Sequence, residues 1–391
     1  MDLEAEDQVE EVHQDDGNSM RPEKARTWVE IDTEALKHNF NMLSRGLAPH
    51  VLKMSVVKSN AYGHGMVSCA RVFRDAGTDF FAVDSFEEAL ELREGGLAQP
   101  ILVLGYTPVH YFNQASLLGI SLTISNRESL NDASILSLFL KVHIKIDTGL
   151  HRQGFQETDR DFVFSILKKS PHLMIEGVYT HLAAAETPRY KKHTQAQITL
   201  FSSWVSDFKS RGYTPLAHVS ASAASMLYKH MHFDMVRFGI ALYGLWPSLE
   251  TKARARGVRL IPALSWKAVV SEVKNVPRGE PVGYDLTQKT KRNSLLAVVP
   301  VGYWHGYPRN LSSVGEVLIK GKKAKVFGRV SMDMMVVDVT GNKGVRQGSE
   351  VVLIGGVGKK SVSAYDVATK ADTINYEIVT RINPFIPRVY S

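Results

Sequence analysis

Short apolar runs alternate with amphipathic segments from residue 33 to about residue 244. Apolar runs bounded by turn residues predict strands, and apolar residues at positions i, i+3 and i+4 predict helices. Eight strand–helix units predict parallel pairing and closure into a (β/α)8 TIM-type barrel over residues 33–255, with an open doubly wound sheet as the alternative. The predicted strands lie within 51–58, 80–83, 101–105, 121–125, 142–147, 174–182, 216–222 and 235–244.

After about residue 255 the pattern changes. Runs such as LLAVVPVGY and EVVLIGG are β-rich, with Gly and Lys turns between them and little helical periodicity. We predict a second, mostly β domain over residues 256–391, with a strand at 26–32 packing on it. A chain of 391 residues is long enough for this division.

Composition and charge restrict the class of protein. Residues 1–17 carry eight acidic residues and no Lys or Arg, which is the reverse of a secretion signal, and 1–24 is predicted to be a disordered acidic leader. Excluding those eight residues raises the formal net charge from +7 to +15, which favours an anionic cofactor or substrate. Basic residues are scattered without interleaved aromatics, so nucleic acid is a weak alternative.

The single cysteine, Cys69, fits a reducing compartment, and we expect a cytoplasmic protein that spans no membrane. Cys69 lies on a predicted helix, where a core role is the simplest interpretation. No metal site is predicted.

Polar residues recur where the predicted barrel strands end, which is where barrels of this type carry their chemistry. Taken singly, most have an ordinary structural explanation: a loop lysine or a hydrogen-bonded histidine. Arg237 is harder to dismiss, because a charge inside an apolar strand needs partners. The strand-end residues are Lys58 and Tyr62, Lys145 and Arg152, His181, His218, Ser220 and Ser222, and Arg237, Gly239 and Ile240.

The loops after strands seven and eight commonly hold phosphate in such barrels. Ser222 and the backbone around Gly239 suit that use, and Lys58 would face them across the barrel. An aldehyde cofactor that carries a phosphate needs this arrangement. Pyridoxal phosphate binds lysine covalently and then acts as an electron sink for carbanion chemistry.

The motifs together resemble the alanine racemase family, a fold-type III group of pyridoxal-phosphate-dependent amino-acid racemases, from about residue 26 onwards. VVKSNAYGHG is similar to the cofactor-lysine motif of that family. The other family signatures follow in order: RTWVEIDTEALKHNF at the start, then KIDTGLHRQG, THLAAAE, VRFGIALYG, VGYWHGYPR, GRVSMDMMVVDV and FIPRVY.

The resemblance implies a two-base mechanism for the interconversion of L-alanine and D-alanine. Lys58 binds pyridoxal phosphate and acts as one base, and Tyr303 acts as the second base in the barrel of a partner subunit. D-alanine would supply cell-wall peptidoglycan, and the protein would be an obligate homodimer with shared active sites.

The resemblance also implies the remaining site residues. Arg237 faces the pyridine nitrogen, and His181 links it to Tyr303. Lys145 matches a lysine that is often carbamylated. The phosphate is held by Tyr62, Ser222, Gly239, Ile240 and Tyr376, whereas Arg152, Met332 and Tyr284 belong to the substrate region.

The sequence departs from the family pattern at several positions: Ala221 for an asparagine, Trp304 and His305 for a small and acidic pair, Ser331 for a cysteine and Asp285 for a glycine. None of these positions is one of the two bases. Ala221 is expected to remove a polar contact near the phosphate.

Three other functions are alternatives, and the sequence argues against the last two. A broad-specificity racemase, for example of serine, could use the same scaffold. A decarboxylase of this design would use an acidic residue at the ring nitrogen and a cysteine in the β domain, where this chain has Arg237 and no cysteine. A cofactor carrier of the single-barrel type would lack the second domain.

Overall fold

The computed structural model describes residues 25–357 and 360–391, and its larger unit is a closed barrel of eight parallel strands. The predicted acidic leader, 1–24, lies outside the described residues. The barrel strands are β2 (Leu52–Val56), β3 (Phe80–Val83), β4 (Ile101–Val103), β5 (Ile120–Ile124), β6 (Leu140–Lys145), β7 (Leu173–Tyr179), β8 (Leu216–His218) and β9 (Met235–Phe238). Because β2 pairs with β9 as well as with β3, the barrel is confirmed and the open sheet is excluded.

Helices surround the barrel, and several begin at a residue whose side chain accepts a backbone N–H. Asp32 accepts from Ala35, Ser85 from Glu88, and Asn126 from Ser129, which satisfies donors that a helix start leaves free. The helices of this unit are α1 (Thr33–Ser44), α2 (Lys58–Tyr62), α3 (Met66–Asp75), α4 (Phe86–Glu94), α5 (Phe112–Leu117), α6 (Arg127–Ser134), α7 (Arg160–Lys169), α8 (Lys191–Ser210), α9 (Ser222–Leu227) and α10 (Leu249–Arg254).

Most positions of the barrel strands are buried, as expected for parallel strands covered by helices. One side of the barrel interior is apolar, with Met54, Phe80, Ala82, Leu102 and Met235 in one cluster. Each large side chain buried in this way stabilises the fold by roughly 1.5–3 kcal/mol. Cys69 is fully buried in the layer between helices and strands, which confirms its core role.

The second unit is built on a mixed sheet that has ten strands in the described part, one of them from before the barrel. Its order is β11-β14-β17-β16-β15-β18-β10-β1-β20, and β19 pairs with β18. These strands are β1 (Thr27–Ile31), β10 (Leu264–Val269), β11 (Glu272–Val276), β14 (Ser294–Val299), β15 (Glu316–Ile319), β16 (Lys322–Val326), β17 (Met335–Asp338), β18 (Glu350–Val357), β19 (Lys360–Val362) and β20 (Arg388–Tyr390).

The first and last strands lie side by side in this sheet, because β1 pairs antiparallel with β10 and parallel with β20. A separate hairpin and two helices complete the unit: β12 (Pro281–Val282), β13 (Gln288–Lys289), α11 (Ala364–Lys370) and α12 (Asn375–Thr380). None of the helices that the structure describes combines the length and the hydropathy of a membrane span.

Candidate active site

A cavity of about 660 Å³ opens at the carboxyl ends of the barrel strands. Its lining brings together ten residues that the sequence predicts for the site, although they come from different strand ends and one helix of the second unit. They are Lys58, Tyr62, Lys145, Arg152, His181, Ser222, Arg237, Gly239, Ile240 and Tyr376.

Lys58 follows the end of β2 and is the first residue of α2. Its Nζ donates to Asp84 Oδ1 at 2.7 Å, and about a third of its side chain is exposed to solvent. Asp84 directly follows β3, so the strand-end rule that found Lys58 could also have found its carboxylate partner. The pair holds the amine at the rim of the cavity.

Helix α2 is a left-handed turn. Ser59, Asn60, Ala61 and Tyr62 all have φ between +52° and +55°, a conformation that costs non-glycine residues roughly 1–2 kcal/mol each. Contacts outside the turn stabilise it: Ser59 N–H donates to Glu88 Oε1 (2.6 Å), and Asn60 Oδ1 accepts from the N–H of Met66 (2.9 Å). The turn places Lys58 and Tyr62 on the same cavity.

Tyr62, Ser222 and Gly239 form a small polar cradle on the cavity wall. Ser222 Oγ accepts from the Gly239 N–H at 2.9 Å. A Cβ on Gly239 would lie 2.9 Å from Tyr62 Oη, so only glycine leaves room for the phenol there. Burial raises the pKa of Tyr62 to about 12, and the Tyr376 ring lies 6.2 Å from the Tyr62 ring. The cradle therefore offers neutral hydroxyl groups.

Ala221 lies at the N-cap of α9 and provides no side-chain acceptor for the helix. The predicted loss of a polar contact near the phosphate stays a prediction. The hydroxyl of the neighbouring Ser220 donates to Met231 O.

Arg237 is buried and forms no ion pair with a carboxylate among the described residues. Its Nη1 donates to His218 Nδ1 (2.7 Å) and His218 O (3.1 Å). Its Nη2 donates to Thr180 O (2.8 Å) and Val219 O (2.9 Å) and lies 3.4 Å from His181 Nδ1. Burial lowers the pKa of Arg237 to about 10. With the Nη hydrogens occupied, the Nε–H is the donor left for a ligand.

Lys145 is 5% exposed, and its Nζ donates to Gln153 Oε1 at 2.8 Å. Burial first, and then the charge of Arg152, lower the pKa of Lys145 to about 8. Burial followed by the charge of Arg237 lowers the pKa of His181 to about 3, which keeps this imidazole neutral. The cavity wall is thus cationic overall, but His181 is neutral and Lys145 loses its proton more readily than an ordinary lysine.

Three of the four predicted residues of the second unit do not line this cavity, and Tyr376 is the exception. Tyr303, Tyr284 and Met332 are 42%, 70% and 52% exposed. Backbone contacts hold two of them together, since Tyr303 N–H donates to Ser331 O and Trp304 N–H to Met332 O, both at 3.0 Å. Their roles stay predictions.

The departures from the family pattern are accommodated locally. Trp304 is half exposed beside Tyr303, whereas His305 is buried and its Nδ1 accepts from the Gly302 N–H at 3.3 Å. Asp285 forms an ion pair with Arg329 at 2.6 Å, and Ser331 Oγ donates to Met334 O.

Several residues around the site were not found from the sequence. Asp84 and Gln153 bind the two lysines, and Glu88 binds α2. The sequence does mark Glu88, because its spacing from Ser85 is that of a capping box. Its carboxylate, however, accepts from the N–H groups of Ser59 and Asp84 rather than from that of Ser85. Gln153 offers no comparable signal, because its contact depends on how a loop folds.

Comparison with known proteins agrees with this architecture. The family model for the alanine racemase N-terminal domain matches residues 31–247, and that for the C-terminal domain matches 263–390. An alanine racemase of Halothermothrix orenii is 42% identical over 93% of this chain and 96% of the relative. An alanine racemase of Symbiobacterium thermophilum is 39% identical over 96% of this chain and 98% of the relative.

Solved structures show the same likeness. The crystal structure of alanine racemase from Bacillus anthracis with bound L-Ala-P has a TM-score of 0.88 and 36% identity, and the match covers 94% of this chain and 95% of that one. The enzyme from Streptomyces lavendulae has a TM-score of 0.87 and 35% identity, with 94% and 97% covered. The chain therefore belongs to the alanine racemase family.

Proposed function

We propose that this protein interconverts L-alanine and D-alanine with pyridoxal phosphate as cofactor, and that each site combines Lys58 of one chain with Tyr303 of the partner subunit. The D-alanine would supply peptidoglycan. The observation that carries the proposal is the convergence on one cavity of a lysine, a hydroxyl cradle and a buried arginine, from three different strand ends.

The cavity fits pyridoxal phosphate. The space that Gly239 leaves beside Tyr62 and Ser222 suits a phosphate, and Lys58 is the only lysine besides Lys145 on the lining of the cavity in the described chain. The Nε–H of Arg237, which has no hydrogen-bond partner among the described residues, suits an acceptor nitrogen of the ring. When bound, the cofactor would supply an electron sink that stabilises negative charge on the substrate Cα.

The protein groups then move one proton. Racemisation removes the Cα proton from one face and returns a proton to the other, so two bases on opposite faces suffice without movement of either. Lys58 Nζ would serve one face, and Tyr303 Oη of the partner subunit would serve the other. Asp84 holds Lys58 Nζ in place at 2.7 Å.

Arg237 would bind the ring nitrogen without protonating it, because a guanidinium keeps its proton. This limits how strongly the ring draws electrons and so limits transamination. Arg152, whose guanidinium reaches the same cavity, would bind the substrate carboxylate, with Tyr284 and Met332 of the partner subunit at the entrance.

A chirality assay tests the proposal. Purified protein with added cofactor should racemise either enantiomer of alanine. Lys58→Ala and Tyr303→Phe should each lose at least about a hundredfold in rate, the usual contribution of a catalytic acid or base. In heavy water, each variant should lose Cα proton exchange from one enantiomer only.

Matched controls are Lys53→Ala, on the strand that precedes Lys58 and ion-paired to Asp79, and Tyr106→Phe, which is 71% exposed. Both should keep wild-type rates. Racemisation at the wild-type rate by Lys58→Ala or Tyr303→Phe would refute the assignment of the bases. Faster racemisation of serine than of alanine would favour the broader specificity instead.

A further inference from the structure

A chain of hydrogen bonds runs inside the barrel, away from the cavity. Arg237 Nη1 lies 2.7 Å from His218 Nδ1, His218 Nε2 lies 2.9 Å from His143 Nδ1, and His143 Nε2 lies 3.1 Å from Glu176 Oε2. Both histidines are fully buried, and neither lines the cavity. We call these three residues, His218, His143 and Glu176, the relay.

The groups at the two ends of this series of hydrogen bonds fix the direction in which the histidines donate. A guanidinium only donates, so His218 Nδ1 must accept and its Nε2 must carry the proton. That proton is donated to His143 Nδ1, so His143 also carries its proton on Nε2 and donates it to Glu176. An ionised carboxylate only accepts, which agrees with the direction set at the other end.

The backbone is shaped for these contacts. The register of β6 and β7 shifts at His143, so that Val142 faces Ile175 and His143 faces Gly177, with Glu176 as the extra residue of a bulge. Bulges re-aim side chains and are rare in parallel pairs. A Cβ on Gly177 would lie 2.1 Å from His143 Nδ1, so the imidazole needs glycine there.

Other side chains hold the relay in place. The Tyr179 ring stacks on His218 at 4.8 Å with an angle of 10° between the rings. Ser121 Oγ donates to Glu176 Oε2 at 2.5 Å, and Lys141 Nζ lies 3.3 Å from Glu176 Oε1. The charged groups facing the relay are thus Arg237 at one end and Lys141 at the other.

We propose that His143 and Glu176 are positioning residues that lock His218 in the Nε2–H tautomer and thereby fix the orientation of Arg237. The catalytic consequence rests on the proposed function, whereas the tautomer lock does not. With His218 in the opposite tautomer, two N–H groups would meet at 2.7 Å. Arg237 would have to turn, which would displace the Nε–H that its Nη contacts leave for a ligand.

The primary test is 15N NMR of the histidine side chains in the wild-type protein, with resonances assigned by their loss in His143→Gln and His218→Gln. The relay predicts that both residues carry a proton on Nε2 and none on Nδ1. A protonated Nδ1 on either residue would overturn the proposal. This measurement requires neither activity nor a bound cofactor.

Variants of Glu176 test the cause. Glu176→Met removes the acceptor at similar volume, so that Arg237 alone still favours the Nε2–H tautomers, and minor Nδ1–H populations should become detectable on His143 and His218. Glu176→Gln keeps an amide oxygen as acceptor and should restore the wild-type tautomers. Lys141→Met removes the ion pair to Glu176 but not the relay, and should leave both tautomers unchanged. Wild-type tautomers in Glu176→Met would contradict the lock.

The consequence for the reaction is a side-product ratio. In the loaded enzyme, Glu176→Met should raise transamination events per racemisation by about fivefold to tenfold, the effect of losing one buried hydrogen bond, and Glu176→Gln should not. If Glu176→Met changes the histidine tautomers but leaves the ratio of transamination to racemisation unchanged, the tautomer of His218 does not control the orientation of Arg237. A wild-type protein that fails to racemise alanine but shows both Nε2–H tautomers would refute the proposed function and leave the lock standing.

Discussion

Gly239 holds a position that a larger residue would disturb, because a Cβ there would lie 2.9 Å from Tyr62 Oη and 3.9 Å from Ser222 Oγ. We expect Gly239→Ala to weaken pyridoxal phosphate binding by at least about tenfold, which corresponds to about 1.4 kcal/mol. Cofactor titration measures this. Gly46→Ala is the control, since its Cβ would meet only Leu43 O at 3.7 Å. Equal cofactor affinity in Gly239→Ala and wild type would show that the cradle does not bind the phosphate.

Lys145 gives a pH-dependent prediction. Burial and then Arg152 lower its pKa to about 8, and only a neutral amine adds to carbon dioxide. The carbamylated fraction of Lys145 should therefore increase as the pH rises from about 7 to 9, and it should be small below pH 7. An ordinary lysine would need a pH near 10.4 to become neutral to the same extent. Carbon-13 NMR with labelled bicarbonate measures it. Lys145→Arg should show no signal, and a signal that persists in this variant would contradict the assignment.

Among the elements, α2 depends on the last strand of the chain. Arg388 Nε and Nη2 donate to Gly63 O at 3.2 and 3.1 Å, and Tyr390 Oη donates to His64 O at 3.1 Å. We expect Arg388→Met to accelerate hydrogen exchange of the amides of residues 61–65 by about tenfold or more, since a charged hydrogen bond contributes roughly 1.5–3 kcal/mol.

The control for that experiment is Arg381→Met, because Arg381 is exposed and pairs only with Glu377 in the described chain. It should leave exchange at residues 61–65 unchanged. Equal protection in Arg388→Met and wild type would show that the left-handed turn is held without β20.

Helix α9 lacks a side-chain cap at Ala221, whose φ and ψ of −91° and −174° suit an N-cap residue. Ala221→Asn should raise the free energy of unfolding by about 0.5–2 kcal/mol. Denaturant unfolding measures the change. The reverse exchange at α6, Asn126→Ala, should cost a similar amount, because Asn126 Oδ1 accepts from Ser129 N–H at 2.8 Å. No gain in Ala221→Asn would mean that solvent already satisfies these donors.

Elements with a strong local pattern could be predicted from the sequence, and elements with a tertiary cause could not. The strand Phe80–Val83 and the cap at Ser85 follow from an apolar run and a short side chain before acidic residues. By contrast, nothing local marks Ser59–Tyr62 as left-handed, because Glu88 and Arg388 stabilise that turn from outside. The bulge at Glu176 likewise could not be predicted, because it is visible only in the pairing of the strand with its neighbour.

The same division holds for the site. Strand-end position predicts Lys58, Arg152 and Arg237, since the barrel brings all such ends to one face. Glu176 could not be found in this way, because its contact to His143 depends on the register between two strands.

For the whole molecule, the position of Tyr303 has the largest consequence. It is 42% exposed on the second unit and does not line the cavity of its own chain, so the proposed site needs two chains. An isologous dimer forms two such sites, each with a lysine from one subunit and a tyrosine from the other.

Mixing two inactive variants tests this arrangement most directly. Lys58→Ala and Tyr303→Phe homodimers should each be inactive, whereas a heterodimer would have one site with both wild-type bases. After unfolding and refolding in equal amounts, random pairing should restore about a quarter of the wild-type rate. A mixture that stays as inactive as its components, although heterodimers are present, would contradict a catalytic centre shared between subunits.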